Sequence, residues 1–170
     1  MRSTPVFVAL ILLGATISGH AQEKRSWFSR VLHPFNSADK IPQYKNPKLR
    51  GLVLTMEFPQ QPVNLSEVRQ LPVQVFLTNR GDHAVELNFP NEQRIEILLR
   101  DAAGKVVTRW SDNRAFAETV GTLLINPSEH VEYSETIATR ELVPGKVFTV
   151  EVMVPAYPEL DVRRKSIAAP

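Results

Sequence analysis

Residues 70 to 89 read QLPVQVFLTNRGDHAVELNF. Leu71, Val73, Val75 and Leu77 fall at every second position, and so do Val85, Leu87 and Phe89. A period of two places alternate side chains on opposite faces of an extended chain, so both runs read as strands with one wet face. Asn79-Arg-Gly-Asp82, between them, is rich in turn formers. Arg80-Gly81-Asp82 also spells an adhesion tripeptide. A hairpin turn with a positive-φ glycine accounts for it more economically.

The same period runs outward in both directions. Upstream, Leu52, Leu54, Met56 and Phe58 share one face of a first strand, and residues 63 to 70 read as a connector. Downstream, Pro90 ends the third strand, and Ile95, Ile97 and Leu99 make a fourth. Asp101-Ala-Ala-Gly104 then closes a hairpin into a strand running to Trp110. Further strands follow at Leu123 and Ile125, from Val131 and Tyr133 onward, and at Phe148, Val150, Val152 and Val154. Thr139-Arg-Glu-Leu142 reads as a single helical turn, Val143-Pro-Gly145 as a turn, and a short last strand is expected near Val162. About seven or eight short strands, spaced by turn signals, predict an all-β, immunoglobulin-like antiparallel β-sandwich. Alternation by itself leaves a barrel open as a second closure.

The N-terminal end reads differently. Arg2, the apolar run from Val6 to Leu13 and the small residues Gly19 and Ala21 have the form of a signal peptide over residues 1–21. They predict export to the periplasm or the extracellular space. Residues 22–48 read as a basic, aromatic leader. Between residues 23 and 50 there are seven basic side chains (Lys24, Arg25, Arg30, Lys40, Lys45, Lys48, Arg50) against Glu23 and Asp39. Trp27 and Phe28 stand among these charges and could touch an anionic membrane surface. A plain tether is the simpler reading of the leader. Residues 49–170 then form the domain. Beyond residue 50 acidic side chains outnumber basic ones, which argues against nucleic acid as a partner.

Chemistry-bearing patterns are few. The chain of 170 residues has no cysteine, which excludes disulfides, thiolate catalysis and cysteine zinc sites. No nucleophile elbow, phosphate loop or zincin motif occurs. His33, His83 and His130 are not at metal-ligand spacing, and both His83 and His130 flank turn-rich stretches. Glu92 with Glu96, or Glu132 with Glu135, are the carboxylate pairs that an acid/base reading would use. On a strand, residues four apart stand about 13 Å from each other, so these glutamates are expected to mark wet faces. Asn64-Leu-Ser66 fits a glycosylation acceptor only in a eukaryotic secretory route. No catalytic, metal or cofactor site is expected, and the chain reads as a non-enzyme.

One stretch is more specific. Thr78-Asn79, Gly81, Leu87-Asn-Phe89, Gln93, the strand Ile95 to Leu99, Asp101 to Gly104, Trp110-Ser111 and Phe116 occur in that order. Pro127-x-Glu129 and Leu142-Val-Pro-Gly145 follow. This pattern, over roughly residues 70 to 153, resembles the BsuPI-type intracellular proteinase inhibitor family. The resemblance implies an immunoglobulin-like fold and inhibition of subtilisin-type serine proteases. Members of that family are associated with the cytoplasm, whereas the N-terminus here predicts export.

Trp110 stands directly before three turn-favouring residues. It is expected to plug the end of the sandwich, since removing so large a ring from water stabilises by a few kcal/mol. With Phe116 packed near it, the two aromatics would anchor a loop of Ser111, Asp112, Asn113, Arg114 and Ala115. A loop held at both ends suits a partner-binding role, because preorganisation lowers the entropy cost of docking. Arg114 is the side chain expected at its tip, entering a specificity pocket. Two functions follow: an inhibitor-like binding module for a serine protease, or a non-inhibitory cell-envelope interaction or assembly module that pairs through a strand edge.

Overall fold

A computed structural model describes residues 41–58, 70–140, 142–160 and 162–168. The expected signal peptide, the leader up to residue 40 with Trp27 and Phe28, and the connector with its Asn64-Leu-Ser66 acceptor all lie outside the described residues.

Nine strands occur among the described residues, and they form an all-β antiparallel sandwich. They are β1 (Leu52–Glu57), β2 (Gln70–Asn79), β3 (Val85–Phe89), β4 (Glu96–Arg100), β5 (Val106–Arg109), β6 (Gly121–Ile125), β7 (His130–Ala138), β8 (Val147–Met153) and β9 (Arg163–Ala168). Hydrogen bonding orders them as β1-β2-β7, β3-β6 and β5-β4-β8-β9. β9 is the short last strand expected near Val162, and it brings the count to nine where seven or eight were expected. Its sequence, RRKSIA, has no apolar alternation, and only Ile167 is buried. Pairing with β8 from Val147 opposite Ala168 to Val152 opposite Arg163 makes it a strand.

The alternation of β2 is realised in full. Leu71, Val73, Val75 and Leu77 are buried, and the residues between them are exposed or half-buried. β2 is the centre of its sheet yet contains Pro72. The ladder with β1 covers only Gln74 to Asn79, so no β1 residue stands opposite this proline and demands its missing N–H. Inward side chains of all three sheets meet in one core with Phe89, Ile97, Leu99, Leu123, Ile125, Phe148, Val150 and Val152. Tyr44 and Leu49 belong to the same core. The Tyr44 hydroxyl donates to the Leu52 carbonyl at 3.2 Å, which fastens the segment before β1 onto the sandwich.

The turn after β2 departs from expectation. It is no hairpin, because β2 pairs with β1 and β7 while β3 pairs with β6. Gly81 has no positive φ. Its smallness serves close approach instead. A Cβ built on Gly51 would stand 2.6 Å from the Gly81 Cα, so two backbones cross where side chains have no room. Asn79, fully buried, locks this corner. Its amide donates to the carbonyls of His83 (2.7 Å) and Ile125 (2.9 Å), and its side-chain oxygen accepts from Gly81 N–H (2.9 Å). Three partners satisfy a polar group that would otherwise be costly to bury.

β4 and β8 correct the expectation of one wet face per strand. On β4, Glu96 and Leu98 are buried along with the core-facing Ile97 and Leu99. On β8, Glu151 is buried as well. Glu151 accepts hydrogen bonds from Arg100 (both contacts 3.1 Å) and from Arg164 (2.7 Å), which ties β4, β8 and β9 together. Burial alone would raise its carboxyl pKa. The hydrogen bonds and charges of Arg100 and Arg164 more than offset that and hold it below the ordinary glutamate value.

Candidate functional site

The chain leaves β5 at Arg109 and winds through a 3-10 turn, Trp110–Asn113, closed by the Arg114 N–H donating to the Ser111 carbonyl at 3.0 Å. Trp110 is buried, as a plug should be, and its ring centroid lies 5.7 Å from that of Phe116. The rings are tilted by 38°. Both therefore pack where loop anchors are needed, one at each end of Ser111–Ala115.

Two carboxylates hold the turn between them. From β4, Glu96 reaches under Ser111. Its oxygens accept from the Ser111 hydroxyl at 2.6 Å and from the Ser111 N–H at 3.3 Å. They also accept from the Gln93 amide (3.2 Å) and the Ile97 N–H (3.1 Å), and the Arg109 guanidinium stands 3.6 Å away. Glu96 is only 4% exposed, so these donors replace lost water. From β7, Glu135 accepts from the Trp110 indole N–H at 3.1 Å and from Arg114 at 2.7 Å. The expectation that Glu96 and Glu135 mark wet faces is corrected: each is a clamp on the same loop. β4 and β7 belong to different sheets, so the turn bridges the end of the sandwich.

Arg114 does not stand free at a tip. Its guanidinium lies 4.1 Å above the Trp110 ring while it bonds Glu135. A cation over an indole face adds about 0.5–2 kcal/mol to such a contact. Ser111 is half-buried by its bond to Glu96, whereas Asp112, Asn113 and Ala115 are exposed. Exposure continues through Ala117, Glu118, Thr119 and Val120.

The far end of this exposed run is also fixed. The Ala117 carbonyl accepts from the Glu92 N–H at 3.0 Å. Arg94 stacks 4.4 Å from the Phe89 ring and donates to the Asn91 carbonyl. Its guanidinium packs against Gly121, where a Cβ would collide with it. Sequence reasoning singled out Trp110, Phe116 and the segment between them but missed Glu96 and Glu135, which hydrogen-bond to that segment. Gln93 beside Glu92 and Glu96 was the available signal, since a polar cluster just before an apolar strand needs partners.

A family model described as BsuPI, intracellular proteinase inhibitor, matches residues 60–159. The chain belongs to that family. An intracellular family overturns the expectation of a periplasmic or extracellular location and points to the cytoplasm. No curated protein matches the chain. Among solved structures, it is similar to the β-glucosidase from Listeria innocua in complex with glucose, at 16% identity and TM-score 0.36, over 71% of this chain and 16% of that one. The complex of the same enzyme with isofagomine gives 14% identity and TM-score 0.40, over 89% and 21%. A Northeast Structural Genomics Consortium target gives 16% identity and TM-score 0.33, over 70% and 85%. The chain thus spans only 16% to 21% of the β-glucosidase, and likeness at this level carries no functional information.

Proposed function

We propose that the chain is a non-catalytic inhibitor module that docks its Ser111–Ala115 loop against the cleft of a subtilisin-type serine protease. Residues 49–170 form the binding domain in this reading. Membership of a proteinase inhibitor family motivates it. The observation that carries it is the double clamp, in which Glu96 and Glu135 hold a mostly exposed loop from two sheets. A segment already held in shape loses little further freedom when a rigid cleft closes on it, so more of the contact energy appears as affinity. Protease–inhibitor pairs are typically preorganised on both sides.

The test is a titration of the purified full chain into subtilisin-type and other intracellular serine proteases, followed with a chromogenic peptide. Activity should fall to zero near equimolar inhibitor. Replacing residues 111–115 by a Gly-Ser linker should raise Ki by at least about 100-fold, the scale of losing one or two interface hot spots. Full protease activity at a large excess of the intact chain would overturn the reading.

A further inference from the structure

Arg114 is occupied by Glu135 and Trp110, so the exposed run needs another side chain to enter a pocket. Val120 is 74% exposed, the highest value among the exposed large hydrophobics of the described residues. It stands on a fixed stretch of backbone. Both flanks are held, Ala117 by the Glu92 N–H that its carbonyl accepts and Gly121 by its place in the β6 ladder opposite Phe89 of β3. Glu118, Thr119 and Val120 therefore form a short arch pinned at both feet. The arch has no regular secondary structure of its own, and all three residues are exposed. Leu124, 48% exposed, lies with Thr122 on the outward face of β6, because alternate residues of a strand share a face. Of the other exposed large hydrophobics, Ile41 belongs to the segment before β1, Val143 to the turn before β8, and Val147 is the first residue of β8.

An apolar side chain presented on a stretch of backbone held at both ends, in the exposed run that follows the docking loop, has the make-up of an interface anchor. Anchors of this kind fill a desolvated pocket on the partner, and rim contacts around them exclude water. The neighbouring Ala115, Ala117 and Thr119 are small enough to let a cleft approach the backbone.

We propose that Val120 is the primary specificity side chain of the inhibitory surface and enters an apolar primary pocket of the target protease. This assignment rests on the inhibitor reading above. The experiment compares the full chain with Val120→Asp, Val120→Arg and Arg114→Ala. Ki is measured on a protease with an apolar primary pocket and on one with an acidic primary pocket, and urea midpoints are recorded in parallel. Val120→Asp should raise Ki on the first protease by at least about 30-fold, the size of an interface hot spot. Its urea midpoint should match wild type, because a side chain this exposed contributes little to folding. Val120→Arg should gain inhibition of the second protease, and Arg114→Ala should leave the preference between the two unchanged. If wild type inhibits and Val120→Asp inhibits equally well, the Val120 assignment falls and the inhibitor reading stands. If wild type inhibits neither protease, nor any other serine protease tested, both fall.

Discussion

Two loops flank β5, and they are built on opposite principles. The hairpin before it, residues 101–105, closes on itself. Asp101 and Gly104 exchange backbone bonds with their own neighbours, and the Asp101 carboxylate accepts from the N–H groups of Ala103 and Lys105, both at 2.9 Å. Gly104 supplies the positive φ of 81° that the turn requires. Even the added contact, from Arg100 to the Gly104 carbonyl, comes from the adjacent residue of β4. The loop after β5 keeps its shape through Glu96, Glu135 and Glu92, which lie on other elements or in the segment before β4. Burying Glu96 is costly unless donors surround it. A chain that only needed to turn could have used the first solution twice. Local rules are broken mainly where function requires a shape the segment would not adopt alone.

That contrast can be broken by mutation. The largest effect is expected for Trp110→Ala, which empties the plug, frees Glu135 from the indole and removes the platform under Arg114. A loss of about 3–5 kcal/mol in urea unfolding is expected, the usual range for deleting a buried aromatic. Glu96→Ala comes next. It strands the donors of Ser111, Gln93 and Ile97. About 2–3 kcal/mol should be lost, the cost of leaving buried polar groups unpaired. Hydrogen exchange sharpens the comparison. Amides of residues 111–115 should exchange faster in Glu96→Ala, while those of residues 103–105 keep wild-type rates. Equal acceleration in both loops would mean that the two are not independently supported.

Much of the fold was legible because solvent writes a period of two into half-wet strands. β2 and β3 show it residue by residue. The Asp101–Gly104 hairpin was legible because its chemistry is local, and so was Trp110 as a plug. Pairing partners were not. Nothing in the alternation of Val85, Leu87 and Phe89 says that β6 rather than β2 lies alongside. β9 was faint because Arg163, Arg164 and Lys165 mask the pattern, and Arg164 is placed by Glu151 rather than by hydrophobicity. The supports of the candidate site were hidden for the same reason. Glu96 is buried because donors from Gln93, Ser111 and Ile97 converge on it, and a convergence of that kind exists only after folding. The role of Gly81 was misread because close approach to Gly51, thirty positions earlier, is a tertiary fact.

The smallest effect tests the self-contained loop. Asp101→Ala removes the acceptor for two backbone N–H groups but leaves the hairpin's own main-chain bonds, Gly104 to Asp101 and Asp101 to Lys105, in place. Both released N–H groups are at the surface, where water replaces the carboxylate. The expected cost is therefore about 1 kcal/mol in urea unfolding, the net worth of an exposed hydrogen-bonding group. Ki toward the target protease should stay within about twofold of wild type, because sites without shared partners contribute additively. β5 joins the hairpin to Trp110 over only four residues, so strain could in principle travel along it. A rise in Ki approaching that of replacing residues 111–115 would show that it does, and the two ends of β5 would then be one mechanical unit.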